Sequence, residues 1–597
     1  MKLYKYSFAL LLGLGTLTSC NDKLDLTNPN QPTTLGFGSQ ADELEESVIA
    51  AYNHIRMEGS YARVGYGYDM CRGDEVWNSS QVWYLAFDDL NAPATEEMTQ
   101  WVWREWYYTI NVCNFILFKV DADNSTLNEQ MRRIKGQALF LRGLSYYNLA
   151  GYYQNSPLIT DYSSYGTLDG LYAESSSYDE LLTQCESDFS EAMTLLPKRD
   201  EGGEWAQGRA TQGAAAGYYA RALMMRPTKD NLQKALTVLK GIINKEYGTY
   251  KLMANYGDNF REGSAYENNE ESLFEVQFLD YGTQGTDQEW TPVNVSSNPT
   301  QGHAIESNCT PGDFSGWADL SAAPWLYNLF LKEKTTDDKL DPRLYWTIGT
   351  YEDDWNGFEK GNICFGKPMT ADIPVQTNNN NGGLPIAKNT NMRTGLYTSV
   401  ITGLRCGINL RMMRYSDVLL RAAECENEIH NGPTDDAINW VNQVRNRAKL
   451  KNLKKEDFNY DSFFEQIANV ERPKEFGCEF GRGFDLIRWG FYYSADRLQQ
   501  LKEHGTFRRH NYLEKDADGN VVVKGNIKED VSYSLIGVDP EVKSSYDSFV
   551  SGHEFLPIYQ GLLNANPNLS GNSANNNTDN GVAHKANGWP IHPVVKL

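Results

Sequence analysis

"RMMRYSDVLLRAAECENEIHNGPTDDAINWVNQVRNRA" spans residues 411–448. Apolar residues at helical spacing flank the breaker "NGP", with Leu419, Ala422 and Ala423 before it and Val441 and Val444 after it. Spacings of three and four put such residues on one face of a helix, and that face needs a partner. Alanine on the contact face lets a second helix come close. The stretch therefore predicts a helical hairpin over 415–430 and 435–448, and this hairpin is the pattern for the rest of the chain.

The pattern recurs upstream. Residues 42–57 are amphipathic through Leu44, Val48, Tyr52 and Ile55. Helices are predicted over 96–120 and 127–153, the second opened by a capping box of Thr126 with Glu129. Ser177 with Glu180 forms another box and starts a helix ending near Pro197. The Ala- and Tyr-rich run 211–225 stops before Pro227, and 229–246 carries Leu232, Ala235, Leu236, Leu239 and Ile243. Pairs of roughly 30–40 residues with small contact residues point to tetratricopeptide-type packing. The fold class predicted is mainly α. Tetratricopeptide-like helix pairs form a scaffold, mainly within 40–250 and 411–502, with long irregular loops and a few short strands such as "SLFEVQF" at 272–278. Because 254–410 interrupts the pairs, no continuous solenoid is expected.

Composition narrows the function. The net charge is −23 and no Lys/Arg-rich run is present, so nucleic acid is not an expected partner. No apolar segment after the first twenty residues is long enough to span a bilayer. Those first residues read as a leader: Lys2 and Lys5, an apolar run from Phe8 to Leu17, then "LTSC". A Cys after Leu-x-Ser is the pattern of a bacterial lipobox. Residues 1–19 are therefore expected to be removed, and Cys20 to be acylated as the mature N-terminus, with 20–35 as a tether. Buried acyl chains, at about 0.8 kcal/mol per CH2, then hold the protein on a membrane. The other eight cysteines show no zinc-ligand spacing and read mostly as small buried hydrophobes. Enzyme signatures are missing: there is no HExxH and no GxSxG, and "GNICFGKP" (361–368) carries Pro368 where a phosphate loop needs Ser or Thr. No cofactor and no metal are expected.

Six stretches, in order, carry a resemblance: "INVCNFIL" (110–117), "GQALFLRGLSYYNLAGYYQNSPLIT" (136–160), "RMMRYSDVLLRAAECEN" (411–427), "INWVNQVRNRA" (438–448), "ERPKEFGCEFGRGFDLIRWG" (471–490) and "LPIYQGLLNANPNLSGN" (556–572). Together they resemble the SusD/RagB family of outer-membrane nutrient-binding lipoproteins of the Bacteroidetes. The resemblance implies one SusD-like domain over 36–597, with ligand loops at about 60–95 and 254–410. It also implies a lipid-anchored place on the cell surface, facing outward from the outer membrane. Further implied are capture of an oligosaccharide or polysaccharide without catalysis, and delivery to a SusC-like TonB-dependent transporter. Capture of peptides or another nutrient, or a surface glycoside hydrolase, are the alternatives. Gly483 departs from the family, which often carries an aromatic before "FDL", and a local packing change is expected there. In the same motif Asp485 is placed to cap free N–H groups, and Arg482 and Arg488 to pair with carboxylates or carbonyls. "NPNLSGN" reads as a turn-rich tail laid across the helices.

The ligand site is sought where aromatic rings sit among polar residues. Residues 60–108 hold 12 aromatics in 49 positions, twice the chain average. Trp101, Trp103, Trp106 and Tyr107 lie on a predicted helix and read as core. Trp77, Trp83 and Tyr84 lie outside it, in "DEVWNSSQVWYLAFDD" (74–89), without a settled period. A sugar offers an apolar C–H face and a rim of hydroxyls, so it needs a flat ring plus carboxylates or amides. Trp83 is the expected platform, with Asp74 and Asn78 at the rim and Glu75 and Gln81 as further hydrogen-bonding candidates. The middle of the chain adds Trp290, Tyr281 and Trp317.

Overall fold

The computed structural model describes residues 37–38, 40–78, 81–122, 127–280, 302–310, 314–349, 363–365, 367–368, 384–394, 405–505, 513–515, 521–523, 545–576 and 590–597. Helix α1 (Ala41–His54) leads through a π-helical turn (Glu58–Ala62) to α2 (Val64–Arg72), a short strand β1 (Val76–Asn78) and α3 (Val82–Asp88). Long helices follow: α4 (Glu97–Ala122), α5 (Glu129–Tyr153), α6 (Tyr178–Leu195), α7 (Gln212–Met224) and α8 (Lys229–Ile243). The middle of the chain contributes β2 (Ser272–Val276), α9 (Ile305–Cys309), β3 (Leu320–Ala322), α10 (Pro324–Leu331), α11 (Pro342–Thr347), β4 (Leu384–Pro385) and β5 (Leu410–Arg414). The C-terminal third contributes α12 (Tyr415–His430), α13 (Asp435–Arg447), α14 (Tyr460–Gln466), α15 (Arg472–Phe476), α16 (Arg482–Arg488) and α17 (Ala495–His504).

The fold is mainly helical, and local signals set the ends of its helices. Ser177 and Glu180 form the expected capping box at the start of α6. Thr211, Thr228 and Thr434 each accept a backbone N–H at the start of α7, α8 and α13. Asn431, at φ 52°, closes α12 in the left-handed conformation and turns the chain into α13. One start differs from expectation. Asn128 caps α5 by accepting from the Met131 N–H, while Thr126 lies outside the described residues.

Packing corrects the expectation of a broken solenoid. α4 lies on α1 and α5, α5 on α6, α6 on α7, α7 on α8, and α8 directly on α12, which carries α13. Among the described residues four helix pairs thus stack without a gap, and α8 meets α12 although more than 170 residues separate them in sequence. Buried ion pairs and close approach hold the layers. Arg142 donates to Asp188 at 2.7 and 2.9 Å and to Asn114 at 3.0 Å, joining α4, α5 and α6. A Cβ on Gly143 would lie 3.0 Å from the Phe189 ring, so a larger residue would push α5 and α6 apart. Phe140 packs at a tilt against Phe189 and edge-to-face against Tyr218 and Phe274, carrying the core from α5 across α6 and α7 to β2. The expected strand β2 pairs antiparallel with β5.

Described segments between α8 and α12 build a second layer. A three-stranded antiparallel sheet has the order β1-β3-β4, with Trp77 opposite Ser321 and Ala322 opposite Leu384. The tail behaves as its sequence suggests: Asn568 donates to the Tyr172 carbonyl at 2.7 Å, and Asn572 donates to those of Tyr153 and Leu556. Among the described residues no helix is long and apolar enough to cross a membrane. The seven cysteines whose side chains are described are buried and unbridged.

Candidate functional site

Residues 58–88 are not the irregular loop expected of them; they form the π-turn, α2, β1 and α3. β1 becomes a strand because β3 and β4, from far along the chain, complete its ladder. Alternation along it buries Val76 and Asn78 and leaves Trp77 half-buried on the other face. α3 drives Tyr84, Phe87 and Asp88 into the core. Its outer face shows Val82 at 76% and Leu85 at 42% exposure, with Trp83 half-buried beside them.

Arg63 organises the rings. Its guanidinium lies 5.4 Å from the Trp83 ring centroid and 4.6 Å from that of Trp317, so one cation stacks against two indoles from distant segments. Arg63 also donates to Glu58 at 3.3 Å. Trp83 rests on Tyr84 with centroids 3.8 Å apart. The Tyr84 hydroxyl donates to the Arg63 carbonyl at 3.0 Å and accepts from Asn308 at 2.8 Å. The indoles are thus preorganised by a buried hydrogen-bonded foundation. Chemically the result is a partly exposed apolar surface, able to cover the C–H face of a ring-shaped ligand.

Three expected contact residues have other work. Asp74 is 1% exposed, paired with Arg482 at 2.7 and 3.0 Å and with His504 at 2.7 Å; it is an internal anchor and no rim group. Burial pushes its carboxyl up, but Arg482 and His504 outweigh that and hold it well below the usual carboxylate range. Asn78 is also buried. Its side chain donates to the Gln81 carbonyl and accepts from the Gln81 N–H, shaping the turn into α3. Tyr84 is fully buried under Trp83. Glu75 is buried too, and desolvation pushes it up to about 8. Trp77, Trp83 and Trp317 remain half-buried and are the surviving candidates. Tyr281, Trp290 and Cys20 lie outside the described residues. Trp101, Trp103 and Trp106 are core, as expected, and the half-buried Tyr107 donates to the Pro157 carbonyl. Arg63 was missed, and no spacing around it singles it out.

The C-terminal motif ties into the far end of α2 and the start of β1. Arg482 pairs with a carboxylate as expected, and that carboxylate is Asp74. Arg488 pairs with Glu424 and Asp485. Asp485 is not a cap: Gly481 starts α16 without a side-chain bond, and Asp485 instead receives Arg421, Arg472 and Arg488. Gly483 lets α16 lie on α2, since a Cβ there would sit 3.0 Å from Asp69 Oδ1 and 3.1 Å from Arg72 Cβ. Among the described residues no three His, Cys, Asp or Glu side chains are grouped to hold a metal ion.

Comparison with known proteins agrees with this architecture. The model of the SusD family matches residues 270–575, and a second model, described as "Starch-binding associating with outer membrane", matches residues 22–224. A SusD-like protein of Bacteroides ovatus is 21% identical, with 96% of this chain and 98% of the relative covered. A SusD-like protein of Formosa agariphila is 24% identical over 78% of this chain and 86% of the relative. Among solved structures, a SusD superfamily protein from Bacteroides vulgatus is similar with a TM-score of 0.67 at 22% identity, covering 90% of this chain and 100% of the other. Surface glycan-binding protein A from Bacteroides thetaiotaomicron, in complex with laminarihexaose, is similar with a TM-score of 0.63 at 21% identity, covering 89% and 99%. The chain belongs to the SusD family.

Proposed function

We propose that this SusD-family chain is a non-catalytic glycan-binding lipoprotein of the cell surface. It captures an oligosaccharide or polysaccharide on Trp83 and Trp317, with Trp77 on the neighbouring strand, and passes it to a SusC-like TonB-dependent outer-membrane transporter. The observation that carries the reading is the pair of half-buried indoles held against one guanidinium. Such rings cover the C–H face of a sugar. The starch-binding description of the second family model and the laminarihexaose complex of the similar structure support a carbohydrate ligand. Acylation at Cys20 supplies the anchor in this reading, in keeping with the family description of association with the outer membrane.

Calorimetry against a panel of polysaccharides, followed by product analysis, tests the proposal. Binding without cleavage is expected, and Trp83→Ala and Trp317→Ala each weaken it by about 1–3 kcal/mol through lost apolar burial. Turnover of the polysaccharide, or unchanged affinity in both variants, overturns the assignment. Purification from the native membrane in mild detergent tests delivery, since a transporter barrel should accompany the wild-type chain.

A further inference from the structure

A buried ion cluster away from the indoles holds more guanidinium than carboxylate. Arg221 of α7, Arg421 of α12, Arg472 of α15 and Arg488 of α16 meet Asp417, Glu424 and Asp485, and each of the seven is less than one-tenth exposed. Arg221, Arg421 and Arg472 reach Asp417 at 2.8, 2.9 and 2.7 Å. Arg421, Arg472 and Arg488 reach Asp485 at 3.2, 2.6 and 2.7 Å, and Arg488 also pairs with Glu424. Four cations thus face three anions. The adjoining cluster balances: Arg343, Lys388, Arg414 and Arg447 pair with Glu271, Asp341, Glu475 and Glu479. Arg411 is matched by Glu275 at 3.4 Å. Among the described residues the surplus positive charge therefore lies with Arg221, Arg421, Arg472 and Arg488.

A small cavity sits between the two clusters, with room for about one water molecule. Residues of both clusters line it, five arginines (Arg221, Arg411, Arg414, Arg421 and Arg472) and two acidic residues, Asp417 and Glu479, whose carboxylates are already engaged by arginine. Met412, Met413, Phe476 and Phe480 close the rest with apolar surface. Leaving a buried charge uncompensated is strongly unfavourable. The nearby carboxylate that senses Asp485 and Arg221 is Asp69, and burial pushes it up to about 7, so in mildly acidic solution it does not supply the missing charge. A phosphate or sulfate is too large for the space.

We propose that this cavity binds one halide ion, with chloride as the natural occupant. The ion closes the charge balance of the cluster. It thereby ties α7 and α12 of the scaffold to the 472–488 segment, whose Arg482 holds Asp74 just before β1.

The test is a crystal of the full chain grown in bromide at pH 6, measured at the bromine edge. A single anomalous peak in the cavity is expected. Density there without anomalous signal identifies water and overturns the proposal. In parallel, Tm is followed in chloride and in gluconate at equal ionic strength. Chloride should raise Tm by roughly 1–3 °C and saturate, and Arg221→Met, which removes the surplus charge, should abolish the rise. An equal rise in gluconate, or an unchanged chloride response in Arg221→Met, counts against a specific site. Should Arg221→Met fail to fold, the bromide map of the wild-type chain still decides.

Discussion

The carboxyls of the arginine cluster and those of Asp69, Glu75 and Glu306, on or beside α2 and α9, are all buried, yet their proton affinities are shifted in opposite directions. At Asp417 and Asp485 burial pushes the carboxyl up, but three arginines around each outweigh it and hold both well below the usual range. At Asp69, Glu75 and Glu306 desolvation wins, pushing them up to about 7, 8 and 7. The nearest arginine to Glu75, Arg482 at 3.8 Å, is already committed to Asp74. Burial alone does not set the charge of a carboxylate; the arginine that reaches it does. The cluster is therefore an ionic clamp between scaffold and motif, whereas Asp69, Glu75 and Glu306 hold their protons to higher pH.

The largest expected effect breaks the clamp. Asp485→Ala leaves Arg421, Arg472 and Arg488 short of a shared partner and should cost about 3–5 kcal/mol of stability, measured by denaturant unfolding. On α9, Glu306→Gln keeps an acceptor for the Asn391 N–H and should be nearly neutral at pH 5. Equal losses in the two variants would erase the distinction.

Next in size is the pH dependence. A carboxyl with a raised folded pKa binds its proton more tightly in the folded state. Stability from Asp69, Glu75 and Glu306 is therefore full below the unfolded carboxylate range and is lost as pH rises to about 7–8. Asp74, Asp417 and Asp485 act with the other sign: their contribution is present above the unfolded range and lost as pH falls through it. Tm should peak on the acid side of neutrality. Glu306→Gln should recover about 2 kcal/mol of the fall between pH 5 and pH 8, and an unaltered slope would show that Glu306 ionises freely in the fold.

The smallest effect sharpens the picture of the platform. Arg63→Lys keeps the charge but removes the planar group between the indoles. Glycan affinity should drop by about 1 kcal/mol, with Trp83 and Trp317 more open to acrylamide quenching and the unfolding midpoint little changed. Intact affinity with altered quenching would mean that the rings are not the contact surface.

The α12–α13 hairpin was legible from its own residues, because its caps, its turn at Asn431 and its apolar stripe all lie within the segment. The stretch 74–89 was not. Trp77 alternates only once Ser321 lies opposite it. α3 is seven residues long and turns Val82 and Leu85 outward, so no helical period shows. Asp74 looked like a rim group because its partner, Arg482, stands 408 residues away. Arg482 itself was read correctly as a pairing residue, since a motif arginine amid apolar anchors has to find an acceptor.

The sequence by itself determined the mainly helical scaffold, the small-residue contacts of its pairs and the family to which the chain belongs. Helix periodicity, caps and breakers act over one or two turns, and so they are written locally. Only the tertiary structure decided that α8 stacks on α12 across the middle of the chain, that Arg63 joins Trp83 to Trp317, and which buried carboxylates keep their protons. Each of these depends on groups brought together from distant segments, where distance and desolvation set the energy and spacing along the chain carries no record of either.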